Sequence, residues 1–155
     1  MYLADVVQRP GFLDDYVPYL LRRADQTLSE GFYAVLNDSG IARSEWRVLA
    51  VLEELGALSV LDLTAAALSP QPTVTHAVRR LEERGLVTRT EGAADRRRRI
   101  VAITPEGSAI TRDLMAHARR LEAEALAGLG DLDELVSGLR RLITTLEVDT
   151  EGAPA

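Results

Sequence analysis

"PQPTVTHAVRRLEERGLVTRTEGAADRRRRIVAITPEG", residues 70–107, decides the fold. Pro72 suits the first position of a helix, where its missing N–H would have had no partner. Behind it, Val74, Ala77, Val78 and Leu81 fall within one narrow arc, and Thr75, His76, Arg79 and Arg80 lie opposite. Gly85 ends that helix. From Leu86 the pattern changes to strand, with "LVTRTE", a turn at "GAAD" and then "RRRRIVAIT", which together predict a β-hairpin with arginines flanking its loop. In an ideal strand, Arg97 and Arg99 would point to one side and Arg96 and Arg98 to the other. Thr104, Pro105 and Glu106 then read as the cap, first residue and acidic first turn of another helix.

Working outward, residues 11–36 predict one long helix, with Tyr16, Leu20, Ala24, Leu28, Phe32 and Leu36 recurring every fourth position. "NDSG" at 37–40 stops it. A second helix spans about Ser44 to Leu55, with Val48, Leu52 and Leu55 on one face, Trp46 and Leu49 on another, and Gly56 as its stop. "ALSV" is too short to classify. Asp62 to Leu68 has helical composition, which "SPQP" breaks. Beyond residue 104, Leu114, Ala118, Leu121 and Ala125 form one heptad-like seam, and after "GLGD" so do Leu132, Leu135, Leu139, Leu142 and Leu146. Such seams suit an internal bundle contact or the pairing of two chains; exposed first and last helices favour pairing. The tail "DTEGAPA" reads as frayed.

Bulk properties narrow the function. The chain has 155 residues and a formal net charge of −6, and all 18 of its basic residues are arginine. Between Gln71 and Val101 eight arginines face four acids, a local net of +4 in a body that otherwise carries −10. A basic island in an acidic chain suggests one surface for a polyanion. With no cysteine, disulfides and thiolate metal sites are excluded. No apolar run approaches the roughly 20 residues of a membrane span, and the N-terminus lacks a signal-peptide pattern, so a cytoplasmic chain is expected. No nucleophile elbow, His-Glu-x-x-His or phosphate loop is present, which argues against an enzyme, and no cofactor is implied.

The order helix, helix, turn, helix, β-hairpin is that of a winged helix-turn-helix, a mainly α fold with a small β-hairpin wing. Such modules place the second helix of the pair in the major groove, and a hairpin beside it reaches the neighbouring minor groove, where arginine is favoured. Through "GIARSEWRVLAVLEE", "PQPTVTHAVRRLEERGLV" and "DRRRRIVAITPEG", the sequence resembles the multiple antibiotic resistance regulator (MarR) family of bacterial transcription factors over residues 12–146. The resemblance implies a single domain, with dimerisation helices over 11–36 and 104–148 around a DNA-binding lobe over 41–103. It matches Gln71, Thr73, Thr75, His76 and Arg79 to positions facing DNA. It also matches Asp95 and Arg97 to a wing motif in which the aspartate braces an arginine, here by a bidentate pair with the guanidinium. Arg96, Arg98 and Arg99 then address phosphates or support the wing. Arg80 and Arg84 suit either phosphate contacts or solvated helix charges.

The same resemblance implies a homodimer on a pseudo-palindromic duplex, with half-sites about 10 bp apart, acting most simply as a repressor. It further implies a cleft for a small aromatic or amphiphilic effector, lined by Tyr16, Tyr19 and Trp46, although each ring equally suits core packing. Two departures stand out: Ala42 replaces a capping threonine, and Leu68 replaces a turn glycine. The competing reading is a winged-helix module that binds protein and not DNA.

Overall fold

The computed structural model describes residues 11–151, so the N-terminal decapeptide and the end of the tail lie outside the described residues. Among the described residues ten elements follow one another: α1 (Phe12–Asp15), α2 (Val17–Asp38), α3 (Arg43–Leu55), β1 (Leu58–Ser59), α4 (Val60–Ala66), α5 (Gln71–Glu83), β2 (Val87–Glu91), β3 (Arg99–Ile103), α6 (Pro105–Leu126) and α7 (Leu132–Glu151). The chain divides into two compact units, one ending at Leu121 and the other beginning at Glu122. Among the described residues no helix is long and apolar enough to cross a membrane.

The expected single helix over 11–36 is interrupted. Tyr16 has extended backbone (φ −80°, ψ 102°) and separates α1 from α2. Pro18, the second residue of α2, explains the break: its ring would collide with the carbonyl four residues back, so a helix through Asp14 cannot continue past it. At the other end α2 runs to Asp38, and Gly40 turns the chain with φ 65°.

The next helix starts at Arg43, one residue before the expected Ser44. Ala42 offers no side-chain cap, but Glu45 in the first turn accepts a hydrogen bond from the Ala42 backbone N–H at 2.9 Å. This is the reciprocal half of a capping box, and it is enough to fix the start. Ser59 caps α4 by accepting from the Asp62 N–H at 3.1 Å, which starts that helix two residues before the composition suggested. At the head of α5 the first position belongs to Gln71, and Pro72 holds the second.

The "ALSV" stretch supplies a third strand. Leu58 and Ser59 pair antiparallel with Val101 and Ile100, giving the sheet order β1-β3-β2. In the hairpin Val87 pairs with Ile103 and Glu91 with Arg99. The core joins the sheet to the helices: Leu36, Val48, Leu49, Leu52, Leu63, Val74, Val78, Leu81, Val87 and Val101 are each at most 1% exposed. The four apolar residues assigned to the inner arc of α5 are all buried.

The start of α6 is knit to the turn after α5. Thr104 Oγ1 accepts from the Gly107 N–H at 3.1 Å and donates to the Gly85 carbonyl at 2.8 Å, while the Thr104 N–H donates to the Leu86 carbonyl at 3.0 Å. Further along, Arg112 Nε meets Glu53 Oε1 at 2.5 Å, tying α6 to the end of α3. Ser108 and then Arg112 hold the Glu53 carboxyl below its ordinary range by hydrogen bonding.

Candidate nucleic-acid interface

Burying Val74, Ala77, Val78 and Leu81 turns the opposite side of α5 to solvent. Gln71, Thr73, Thr75, His76, Arg79 and Arg80 are all exposed. Gln71, Pro72, Thr75, His76 and Arg79 line one shallow depression of about 480 Å³. Thr73 is exposed outside that lining. This strip carries an amide, hydroxyls, an imidazole and a guanidinium, a set able to bond both base edges and phosphate oxygens. Arg79 is lightly held, with its Nε 3.6 Å from Glu83 Oε1 and both side chains more than half exposed. Such surface pairs are worth about 0.3–0.5 kcal/mol, so an incoming anion can displace Glu83 easily.

Arg80 is held more firmly. Its Nε lies 2.9 Å from Oε1 of Glu45, a carboxylate with no exposure at all. The contact is an ion pair whose angle falls short of a directed hydrogen bond. Arg84 Nη1 lies 3.5 Å from the other oxygen of Glu45 and donates to the Gly40 carbonyl at 2.8 Å. Of the two arginines left open between phosphate and solvent, both have a protein partner.

The wing differs from the expected strand. Only Arg99 belongs to β3, and Arg96, Arg97 and Arg98 lie in the hairpin loop. Loop closure explains this. The Gly92 N–H donates to the Arg98 carbonyl at 2.7 Å, and the Arg98 N–H donates to the Asp95 carbonyl at 3.0 Å. Strand alternation therefore does not set the direction of these three side chains. Gly92 is required at this crossing, because a Cβ there would meet the Asp95 carbonyl oxygen at 2.8 Å.

Asp95 also acts otherwise than expected. Its Oδ1 accepts the backbone N–H of Arg97 at 2.9 Å, an Asx-type turn. Among the described residues no ion pair joins Asp95 to the Arg97 guanidinium. The aspartate shapes the peptide that carries the arginine and leaves the cationic tip open. All five residues, Asp95 to Arg99, are exposed.

A further pair, not singled out in the sequence, joins wing to helix. Arg89 of β2 donates through Nε to Glu82 Oε2 of α5 at 2.8 Å, with a second, shorter bond from Nη2. Hydrogen bonding from Arg89 holds the Glu82 carboxyl below its ordinary value, and the Arg89 guanidinium is raised in turn. This pair ties the wing to the C-terminal half of α5.

The aromatic residues divide. Trp46 packs edge-on to Phe32, with ring centroids 4.9 Å apart, and borders a hollow of about 470 Å³ shared with Asp25, Arg47, Ala50, Val51 and the Ala66–Leu68 turn. Tyr16 and Tyr19 are exposed at the start of α2, outside that lining, and Tyr16 stacks on Phe12 at 4.5 Å. Among the described residues no cluster of His, Cys, Asp or Glu could hold a metal.

Comparison with known proteins agrees with this geometry. The MarR family model matches residues 39–98. The regulator FarR of Neisseria gonorrhoeae is 33% identical over 94 residues; the match takes in 61% of this chain and 64% of FarR, just under two thirds of that relative. A MarR family transcriptional regulator from Silicibacter pomeroyi superposes with TM-score 0.77 at 33% identity, covering 88% of this chain and 98% of that one. BpsR of Bordetella bronchiseptica, whose DNA binding is regulated by 6-hydroxynicotinic acid, superposes with TM-score 0.71 at 29% identity, over 94% of this chain and all of that one. The three-stranded winged helix and these matches, which extend far beyond the wing motif, lead to one conclusion: the chain belongs to the MarR family of transcriptional regulators.

Proposed function

We propose that the protein is a homodimeric repressor that binds a pseudo-palindromic duplex, inserting α5 into the major groove and the arginine wing into the adjacent minor groove. One observation carries this reading: α5 exposes a strip of Gln71, Thr75, His76 and Arg79 and is tied through Glu82 and Arg89 to a wing whose loop carries three open arginines, in an otherwise acidic chain. Arg79 suits guanine edges, the threonines suit phosphates or a thymine methyl, and His76 suits a base or a phosphate. Arg97 enters the narrow groove, where negative potential is concentrated, while Arg96, Arg98 and Arg99 address phosphates.

Dimerisation has support in each unit separately. In the first, Leu20, Leu21 and Leu28 of α2 are 37–41% exposed; in the second, Leu135, Leu139 and Ile143 of α7 are 36–54% exposed. Apolar stripes of this kind are normally covered.

For an effector, the hollow beside Trp46 suits a small aromatic acid, with an indole to stack on and Arg47 to meet a carboxylate. Tyr16 and Tyr19 would join only if a ligand or a second chain rearranged the start of α2. The regulation of BpsR by 6-hydroxynicotinic acid supports this class of ligand. Such a ligand releases DNA only by favouring a conformation that misfits it.

Selecting bound fragments from random and genomic DNA with purified protein tests the proposal. Recovery of a two-fold symmetric motif with half-sites about one turn apart is expected, and binding should weaken steeply with salt. Protein that retains no duplex at all would instead indicate a winged-helix module that binds protein.

A further inference from the structure

We propose that Glu45 is a positioning residue for base reading, clamping the recognition helix by its C-terminal half and withdrawing Arg80 from the phosphates. The inference rests on the DNA-binding role proposed above. Glu45 belongs to α3, contacts no solvent, and joins three points: the Ala42 N–H at the start of its own helix, Arg80 Nε at 2.9 Å and Arg84 Nη1 at 3.5 Å. Arg84 continues the chain of contacts to the Gly40 carbonyl. The last turns of α5 are thus tied through one dry carboxylate to the beginning of α3.

Leverage makes this tie matter. From Arg80 back to Gln71 the helix extends about 14 Å at 1.5 Å per residue. A 10° swing about the clamp would carry Gln71 by about 2 Å, enough to break any hydrogen bond to a base edge. Phosphate contacts tolerate such a swing far better, because flexible arginines on the wing can follow the backbone. Loss of the clamp should therefore cost sequence discrimination before it costs affinity for DNA in general. An arginine with a buried anionic partner is also a poor competitor for exposed phosphates, since leaving would strand the carboxylate.

A double-mutant cycle on Glu45→Gln and Arg80→Ala tests the proposal. Anisotropy titrations use a duplex selected by the wild-type protein and a shuffled duplex, each over a series of salt concentrations. The glutamine keeps an acceptor for the Ala42 N–H and removes the charge. Glu45→Gln is expected to weaken binding to the selected duplex by about tenfold or more, the size of one lost base contact, with shuffled binding unchanged or stronger. Arg80→Ala should show the same loss of discrimination with an unchanged salt slope, and the double variant should be no worse than the poorer single one. If Arg80→Ala instead weakens both duplexes equally and lowers the salt slope by about one, Arg80 is a phosphate anchor and the proposal is overturned. Wild-type discrimination in folded Glu45→Gln overturns it equally. The double variant leaves no buried charge stranded and decides the matter if a single variant does not fold, by the same loss of discrimination at an unchanged salt slope. Wild-type protein that selects no duplex refutes the DNA-binding reading itself, and the clamp's purpose with it.

Discussion

Replacing Gly107 by alanine sets two effects of opposite sign against each other. Gly107 lies in the first turn of α6, and alanine is the better helix former by at most about 1 kcal/mol. Propensity alone predicts a more stable protein. Space predicts the reverse: a Cβ at residue 107 would stand 2.1 Å from the Leu86 carbonyl oxygen and 3.0 Å from Ile103 Cγ1. Ordinary contact begins at 3.4 Å, so carbonyl and helix must separate by about 1.3 Å. The nearer obstacle, the Leu86 carbonyl, is backbone and cannot rotate away. Overpacking of this kind costs about 1–3 kcal/mol. The same carbonyl accepts the Thr104 N–H, and weakening that bond adds about 0.5–1.5 kcal/mol. After subtracting the propensity gain, a net loss of about 2 kcal/mol remains, which for a chain of this size lowers Tm by roughly 4–8 °C. Thermal melts followed by circular dichroism, at matched protein concentration because association shifts Tm, measure it. A Tm equal to or above that of the wild type would refute the steric reasoning.

Three other perturbations have definite expected outcomes. Arg97→Ala should leave Tm unchanged and cut affinity for the selected duplex by about 1–3 kcal/mol in a gel-shift titration; equal affinity would remove the wing from the interface. Glu82 has its pKa lowered by Arg89, so the pair stabilises the fold above the ordinary glutamate value of 4.5 and that contribution fades as pH falls through the lower folded value. The Tm gap between wild type and Glu82→Gln should accordingly be present at neutral pH and narrow under acid, and a gap that widens on acidification would contradict the assignment. Leu68 has φ 49° and is 88% exposed, so Leu68→Gly loses little packing. Relief of about 1–2 kcal/mol of left-handed strain, less about 0.5–1 kcal/mol for the freedom of glycine in the unfolded chain, should raise Tm by a few degrees in the same melts.

What the sequence made legible was local. Val74, Ala77, Val78 and Leu81 marked the inner face of α5, and Thr-Pro-Glu-Gly marked the start of α6, because spacing and capping act over a few residues. What it concealed depended on partners distant in the chain or on a competition between local rules. Leu58 and Ser59 are a strand only because β3 runs beside them. The fourfold apolar spacing of α2 masked the stop imposed by Pro18. Strand alternation stops short of Arg96–Arg98, where the closure between Gly92 and Arg98 makes a loop. Glu45 carried one visible signal, its place three residues after Ala42, but its two arginine partners lie 35 and 39 residues on and become neighbours only in the folded lobe.

The closure of the wing separates two properties that a plain hairpin would couple. Sheet pairing ends at Glu91 and Arg99, and the loop beyond them is pinned by Gly92, Asp95 and Arg98. Insertions or deletions between Ala93 and Asp95 therefore change how far the cationic tip extends without altering strand register or the hydrophobic layer beneath. The extension of the cationic tip is an adjustable dimension of this scaffold, open to retuning by loop length alone.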